Sequence, residues 1–140
     1  MKKTTLFYLL FISILPHLSS TVSADAIIVH PSSSFTLTQS EVSRIFLGKA
    51  KRFPNGTKAV PIDQMDTSPI KKAFIEKILK KDSGQLKSFW SYKIFTGEGM
   101  PPKVESNDEA VKELVSKNPS IIGYISNKNI DDSIKVLLEY

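Results

Sequence analysis

The pattern that most constrains this chain is an alternation of short apolar runs with longer amphipathic segments. Residues 26–30 and 121–125 are rich in β-branched or aromatic apolar side chains and have the length of a buried strand. Between such runs, apolar residues recur every three to four positions, as an amphipathic helix requires. Alternating strands and helices predict the α/β class, in a single layered domain of about four short strands and about four helices. The other two predicted strands are residues 59–62 and 134–138.

The predicted helices carry recognisable start signals. Thr38 precedes Glu41 by three positions, which is the spacing of a capping box, and Gly48 is a natural stop for that helix. Ser68 followed by Pro69 is typical of a cap and a first turn. The remaining predicted starts are Asp82-Ser83 and a second capping box from Ser106 to Glu109.

Residues 1–24 have the three parts of a secretory signal peptide. Lys2 and Lys3 form a basic start, residues 6–15 are mostly apolar, and Val22-Ser23-Ala24 offers a small-residue exit. A transmembrane anchor is the weaker alternative, because the apolar run is far shorter than the roughly 20 residues that cross a bilayer. We therefore expect residues 25–140 to form the working domain in the periplasm or outside the cell, with no stable membrane insertion after cleavage.

Composition argues against several classes of function. Removing residues 1–24 leaves 116 residues, and the loss of Lys2 and Lys3 lowers the net charge from +5 to +3, which does not call for a nucleic-acid partner. The chain has no Cys, and His30 is the only His after residue 24. Residues 25–140 therefore lack the Cys and the second His from which a zinc or copper site could be built. They also offer little from which to build a nucleophile with its base. We expect no metal, no cofactor and no enzymatic activity.

The strongest candidate site is an anion site at the end of the second predicted strand. Residues 59–62 run into Gln64, Thr67 and Ser68, where a helix is predicted to begin. A helix start offers free backbone N–H groups and a positive dipole end, and the hydroxyl groups add donors. Plain helix capping is the alternative and the commoner role of such residues.

Three segments in order resemble the periplasmic phosphate-binding proteins of ABC transporters. They are residues 37–49 (Leu-Thr-x-x-Glu-Val-x-x-Ile-Phe-Leu-Gly-Lys), residues 61–69 followed by Phe74, and Ile122-Gly123-Tyr124-Ile125 after Asn118-Pro119. The resemblance covers nearly all of residues 25–140. It implies the fold of one lobe of a type 2 periplasmic binding protein. It also implies phosphate or a similar oxyanion as ligand, and an ABC transporter permease or a membrane sensor as partner.

This sequence departs from the family pattern in two ways. The family's Arg position is occupied by Gln64, and its Ser-Gly-Thr is replaced by Ser68-Pro69-Ile70. The chain also has residues for one lobe, whereas the family closes two lobes over the ligand. We expect the ligand site at Gln64, Thr67 and Ser68, with Ser33 and Ser34 as further candidates from the loop after the first strand. The alternative is a non-catalytic envelope interaction or scaffold protein that has lost ligand binding.

We predict that the processed protein begins at Asp25, because Val22-Ser23-Ala24 follows the apolar run as a peptidase site would. Intact-mass measurement on protein from the cell envelope checks this. A species that retains residues 1–24 at its final location would contradict it.

Overall fold

The computed structural model describes residues 24–140, so the predicted signal peptide lies outside the described residues apart from Ala24. Within that range no helix has the length and apolar character needed to cross a bilayer. In chain order the elements are β1 (Ala26–Val29), α1 (Gln39–Phe46), β2 (Val60–Gln64), α2 (Lys71–Lys77), α3 (Ser83–Phe95), β3 (Lys103–Glu105), α4 (Asp108–Lys117), β4 (Ile121–Ile125), a 3-10 turn (Asn127–Asn129) and β5 (Lys135–Glu139).

The five strands form one mixed sheet in the order β3-β2-β4-β1-β5. β2 pairs in parallel with β3 and β4, whereas β1 is antiparallel to both β4 and β5. Four of the strands therefore end at the same edge of the sheet, which we call the carboxyl edge. β1 ends at the opposite edge, which we call the amino edge because the other four strands begin there.

Helices cover both faces of the sheet, which is why β1 and β4 are buried along their whole length. Side chains alternate between the faces, so neighbouring residues of one strand enter different clusters. Ile28 packs in a cluster with Val111 of α4, and Ile27 packs in the other cluster with Phe74 and Tyr124. The predicted α/β class with one layered sheet is confirmed.

Two of the predicted helix starts are confirmed. The Thr38 hydroxyl accepts a hydrogen bond from the Glu41 N–H, and the Thr38 N–H donates to the Glu41 carboxylate at 2.7 Å. Asp82 caps α3 in the same reciprocal way with Gln85. Gly48 follows α1 with a φ of +69°, a conformation that glycine adopts without steric cost.

The other two predicted starts are wrong. α2 begins at Lys71, after an N-cap residue, Ile70, that makes no side-chain capping bond. The hydroxyl of Ser68 is taken by a tertiary hydrogen bond to Gln64, so it does not cap the helix. α4 is capped by Asn107 rather than by Ser106.

The structure also adds a strand that the sequence pattern did not predict. β3 is three residues long and is an outermost strand of the sheet, paired only with β2. Pro101-Pro102, directly before it, favours an extended chain but does not indicate a partner strand. Its pairing with Ile62, Asp63 and Gln64 is a long-range contact, which local patterns do not report.

We predict that Gly123→Ala destabilises the fold by about 1–3 kcal/mol, because extra atoms in a packed core force strain. A Cβ on Gly123 would lie 2.4 Å from Cγ1 of Val111, where α4 packs on β4. Urea unfolding followed by circular dichroism measures the change.

Gly99→Ala is the matched control. A Cβ at Gly99 would meet nothing within 4 Å, and its φ is not in the left-handed region. We expect its unfolding free energy to stay within about 0.5 kcal/mol of the parent, as for most surface changes. Equal losses at the two positions would contradict the close packing of α4 on β4.

Candidate functional site

A pocket of 340 Å³ opens at the carboxyl edge of the sheet. Its walls are the end of β2, the turn that follows, the start of α4 and the segment after β4. The carboxyl ends of adjacent parallel strands are where α/β folds commonly bind ligands. The polar residues that matter here are Gln64, Thr67, Ser68, Asp108, Glu109 and Lys128.

The structure brings three of the five predicted site residues together. Gln64, Thr67 and Ser68 all line this pocket. Ser33 and Ser34 follow the end of β1 and therefore lie at the amino edge, away from it. Ser33 is buried and its carbonyl accepts a hydrogen bond from Lys135 Nζ at 2.6 Å, whereas Ser34 is exposed.

Gln64 is almost fully buried, and the protein itself uses its side-chain amide. The Nε2 group donates to Asp108 Oδ1 and to the Tyr124 carbonyl, both at 2.8 Å. The Oε1 atom accepts from the Ser68 hydroxyl at 2.7 Å. Both hydrogens of the amide and the hydrogen of the Ser68 hydroxyl are therefore committed. A bound anion would have to break one of these bonds to gain a donor from either of these two side chains.

Asp108 is the acceptor on which the donors around the pocket converge. Besides Gln64 Nε2, its carboxylate accepts from the Ser126 N–H at 3.0 Å and from Asn129 Nδ2 at 2.6 Å. Asp108 is also the first residue of α4, where the helix dipole favours a negative charge. The carboxylate thus occupies the kind of position that an oxyanion would take.

The nearest buried cation is also neutralised by the protein. Lys71 Nζ lies 3.0 Å from Asp63 Oδ2 and 2.8 Å from Asp66 Oδ1, and it donates to the Gln64 carbonyl at 2.9 Å. Burial by itself lowers the pKa of Lys71, but the hydrogen bonds and charges of the two carboxylates raise it overall. The Tyr124 hydroxyl donates to Asp63 Oδ1 at 2.6 Å, which holds that carboxylate in place.

The electrostatic character of this edge is acidic. Burial raises the pKa of Asp25, Lys77 opposes that rise, and the charge of Asp108 adds to it. Burial and the charges of Asp25 and Asp108 likewise raise the pKa of Tyr140. Among the described residues that line the pocket, Lys128 is the only cation, and it is exposed. The carboxylates of Asp108 and Glu109 therefore outnumber the single ammonium group among the residues that line the pocket.

Sequence reasoning did not identify Asp108, Lys71 or Tyr124 as parts of this arrangement. Asp108 lay within a segment assigned to helix capping, and Tyr124 within an apolar strand. One signal was available: Asp63 and Gln64 are polar residues directly after an apolar strand, and a buried polar residue needs a partner. The sequence did not say which partners these would be.

We predict that Gln64→Glu destabilises the fold by about 2–4 kcal/mol at neutral pH, because a carboxylate replaces the amide donor that faces Asp108. Repulsion raises the pKa of one carboxyl in the folded state above its unfolded value of about 4.3. The folded variant then binds more protons than the unfolded chain, so the destabilisation is smallest at acid pH and grows as pH rises. Urea unfolding of parent and variant across the acid-to-neutral range measures this difference.

Gln85→Glu is the control for the same chemical change at an exposed position. Gln85 Oε1 accepts from the Asp82 N–H, and a carboxylate keeps that acceptor in the first turn of α3. We expect little change in stability for this variant. A Gln64→Glu loss that does not depend on pH would contradict the close approach to Asp108.

Solved structures of phosphate transport proteins have a similar fold. A protein from Clostridium perfringens, described as a phosphate ABC transporter substrate-binding protein with bound phosphate, matches 81% of this chain at 23% identity and a TM-score of 0.65, over 44% of its own length. An ABC-type phosphate transport receptor from Vibrio cholerae matches 81% at 19% identity and a TM-score of 0.63, over 45% of its length. PstS from Borrelia burgdorferi matches 81% at 18% identity and a TM-score of 0.60, over 46% of its length.

No protein-family model matches the chain, and no curated protein matches it. The chain spans less than half the length of these three proteins, so the likeness has the size of one lobe. The expected fold is confirmed: the chain has the architecture of one lobe of the substrate-binding proteins of phosphate ABC transporters.

Proposed function

We propose that residues 25–140 form a non-catalytic, extracytoplasmic lobe that acts by contact with another component of the cell envelope. In this proposal, residues 1–24 direct export and are removed. The lobe keeps the architecture of a phosphate-binding protein, and it does not carry free phosphate. The observation that carries the proposal is the position of the Asp108 carboxylate, which takes the hydrogen bonds that an oxyanion would need.

The energetic argument against phosphate has two parts. Each charge-assisted hydrogen bond that a phosphate failed to gain would forfeit about 1.5–3 kcal/mol. The charge of Asp108 would also repel the ligand. For unit charges about 4 Å apart the repulsion is about 4 kcal/mol at an effective dielectric constant of 20.

The cation that could offset this repulsion from inside the fold is already paired. Lys71 Nζ is held by two carboxylates and one carbonyl. α2 has only seven residues, so the dipole that it contributes at this edge is short. The pairing of Lys71 favours a lobe in which these polar groups have a structural role.

The second candidate is binding of phosphate or a related oxyanion in connection with ABC transport or its sensing. The observation that favours it is the shared pocket of Gln64, Thr67 and Ser68, with exposed Lys128 at its wall. The relative from Clostridium perfringens was solved with bound phosphate in the same overall fold. In this candidate, a permease or a membrane sensor reads the loaded lobe.

We predict no saturable heat when the protein, purified from the envelope, is titrated with phosphate or sulfate up to millimolar concentration. Thermal unfolding is the second readout, since a ligand at about 100 times its Kd stabilises the folded state by about 2.7 kcal/mol. Sodium chloride at matched ionic strength is the reference for both measurements.

Saturable phosphate binding that Ser68→Ala weakens would overturn the proposal in favour of the second candidate. Lys117→Gln is the matched control, because Lys117 is exposed and pairs with Glu113 rather than lining the pocket. Stability of Ser68→Ala is measured alongside, because this change also removes a hydrogen bond to Gln64.

A further inference from the structure

A cluster of lysines lies on the side of the molecule away from the pocket. We define the basic face as Lys49, Lys51, Lys58, Lys81 and Lys93. The first three belong to the loop before β2, which approaches the amino edge of the sheet. Residues 44–58 contain five Lys or Arg residues and no Asp or Glu. This loop therefore carries a high local positive charge.

Three of these lysines converge on one aromatic ring. The Nζ atoms of Lys49, Lys81 and Lys93 lie 5.9, 5.5 and 5.7 Å from the centroid of the Phe89 ring. Lys93 also pairs with Glu98 at 2.8 Å, so one acid reaches this side. Three ammonium groups around a single ring repel one another, and a negatively charged surface placed over them would relieve that repulsion.

A second pocket joins the loop lysines to apolar residues of α3 and the segment after it. It has a volume of 290 Å³, and its walls include Lys51, Lys58, Trp90, Met100 and Lys103. The residues that line this pocket lie between positions 45 and 103, and none of them is Asp or Glu. Lys103 pairs with Glu105, which leaves the two loop lysines as the unopposed charges of this pocket.

Large apolar side chains of α3 and of the segment after it protrude into solvent, and Met100 lines the pocket that the two loop lysines share. Phe95, the last residue of α3, is 92% exposed, Met100 is 73% exposed and Tyr92 is 61% exposed. Within α3 only Leu86 is buried. Phe89 and Trp90 are partly covered, and the end of the helix projects apolar groups into solvent.

Charge is unevenly distributed along the described chain. In residues 24–103 the Lys and Arg residues outnumber the Asp and Glu residues by six, whereas in residues 104–140 the acids outnumber the cations by three. The basic face belongs to the first part, and Asp108 and Glu109 at the pocket belong to the second. The clustered ammonium groups of the basic face would be attracted to a negatively charged surface.

We propose that the basic face, with Phe95, Tyr92 and Met100, docks the protein on an anionic lipid bilayer. Protruding aromatic and apolar side chains flanked by lysines are the chemistry of interfacial membrane binding: the apolar groups enter the boundary of headgroups and acyl chains, and the ammonium groups meet lipid phosphates. The inference rests on the proposed function, because it names the envelope component that the lobe contacts. Docking in this orientation leaves the carboxyl edge and its pocket facing away from the membrane.

The test is co-sedimentation of the protein, purified from the envelope, with vesicles in which about a third of the lipid is phosphatidylglycerol and the rest phosphatidylcholine. We expect binding to these vesicles, little binding to pure phosphatidylcholine, and loss of binding in roughly 1 M NaCl, where the Debye length is about 3 Å. Lys51→Gln with Lys58→Gln lowers the partition coefficient by about fivefold for each lysine. Phe95→Ser lowers it by about tenfold through lost apolar burial.

The matched controls carry the same kinds of substitution near the carboxyl edge. Lys72→Gln with Lys128→Gln removes two exposed charges there, and Met65→Ser removes an apolar side chain that is 45% exposed. We expect both controls to bind the vesicles like the parent. All variants share the same N-terminus, and circular dichroism verifies that each is folded.

Absence of binding to the anionic vesicles overturns the inference. So does binding that the controls reduce as much as the basic-face variants, or binding that Phe95→Ser leaves unchanged. These outcomes do not touch the proposed function, which fails instead if phosphate binds saturably. If the lobe binds neither phosphate nor vesicles, the proposed function still stands. The partner of the basic face would then be an acidic protein surface.

Discussion

The position of Tyr124 on the central strand links the hydrophobic core of this protein to the polar cluster at its carboxyl edge. Its ring stacks on Phe74 with centroids 4.0 Å apart, inside the cluster that joins α1 and α2 to the sheet. Its hydroxyl donates to Asp63, and its carbonyl accepts from Gln64. One buried residue therefore fixes both the packing of α2 and the direction in which two polar side chains point. Burial and the Asp63 charge raise the pKa of Tyr124, so the phenol remains a donor.

The polar cluster at the carboxyl edge consists of side chains that satisfy one another. Gln64 is held by Asp108 and Ser68, and Lys71 is held by Asp63 and Asp66. The amide of Gln64, the hydroxyl of Ser68 and the ammonium group of Lys71 each have partners within the protein. Buried polar groups that satisfy one another stabilise the fold, and a ligand that displaced them would have to replace their bonds. The same architecture is therefore compatible with binding proteins and with a lobe that holds its own carboxylate at the site.

The two edges of the sheet have opposite electrostatic character, so they present different surfaces to a partner. The carboxyl edge concentrates acids around a polar pocket, and the opposite side presents lysines beside exposed Phe95 and Met100. Contiguous exposed apolar patches commonly mark interaction surfaces. The lysine-rich side is the part of the described molecule on which the proposed docking depends.

The sequence by itself determined the class of fold and much of the local structure. Apolar runs predicted four of the five strands. The capping pairs Thr38–Glu41 and Asp82–Gln85 begin helices because a cap acts within a few residues of chain. The order of three motifs predicted the lobe architecture. Only the tertiary structure decided the site, because its contacts join residues far apart in the chain. Gln64 meets Asp108 and Tyr124 across the sheet. Local patterns carry no information on such pairings, and the burial of a polar side chain sets its partners only once the sheet is assembled.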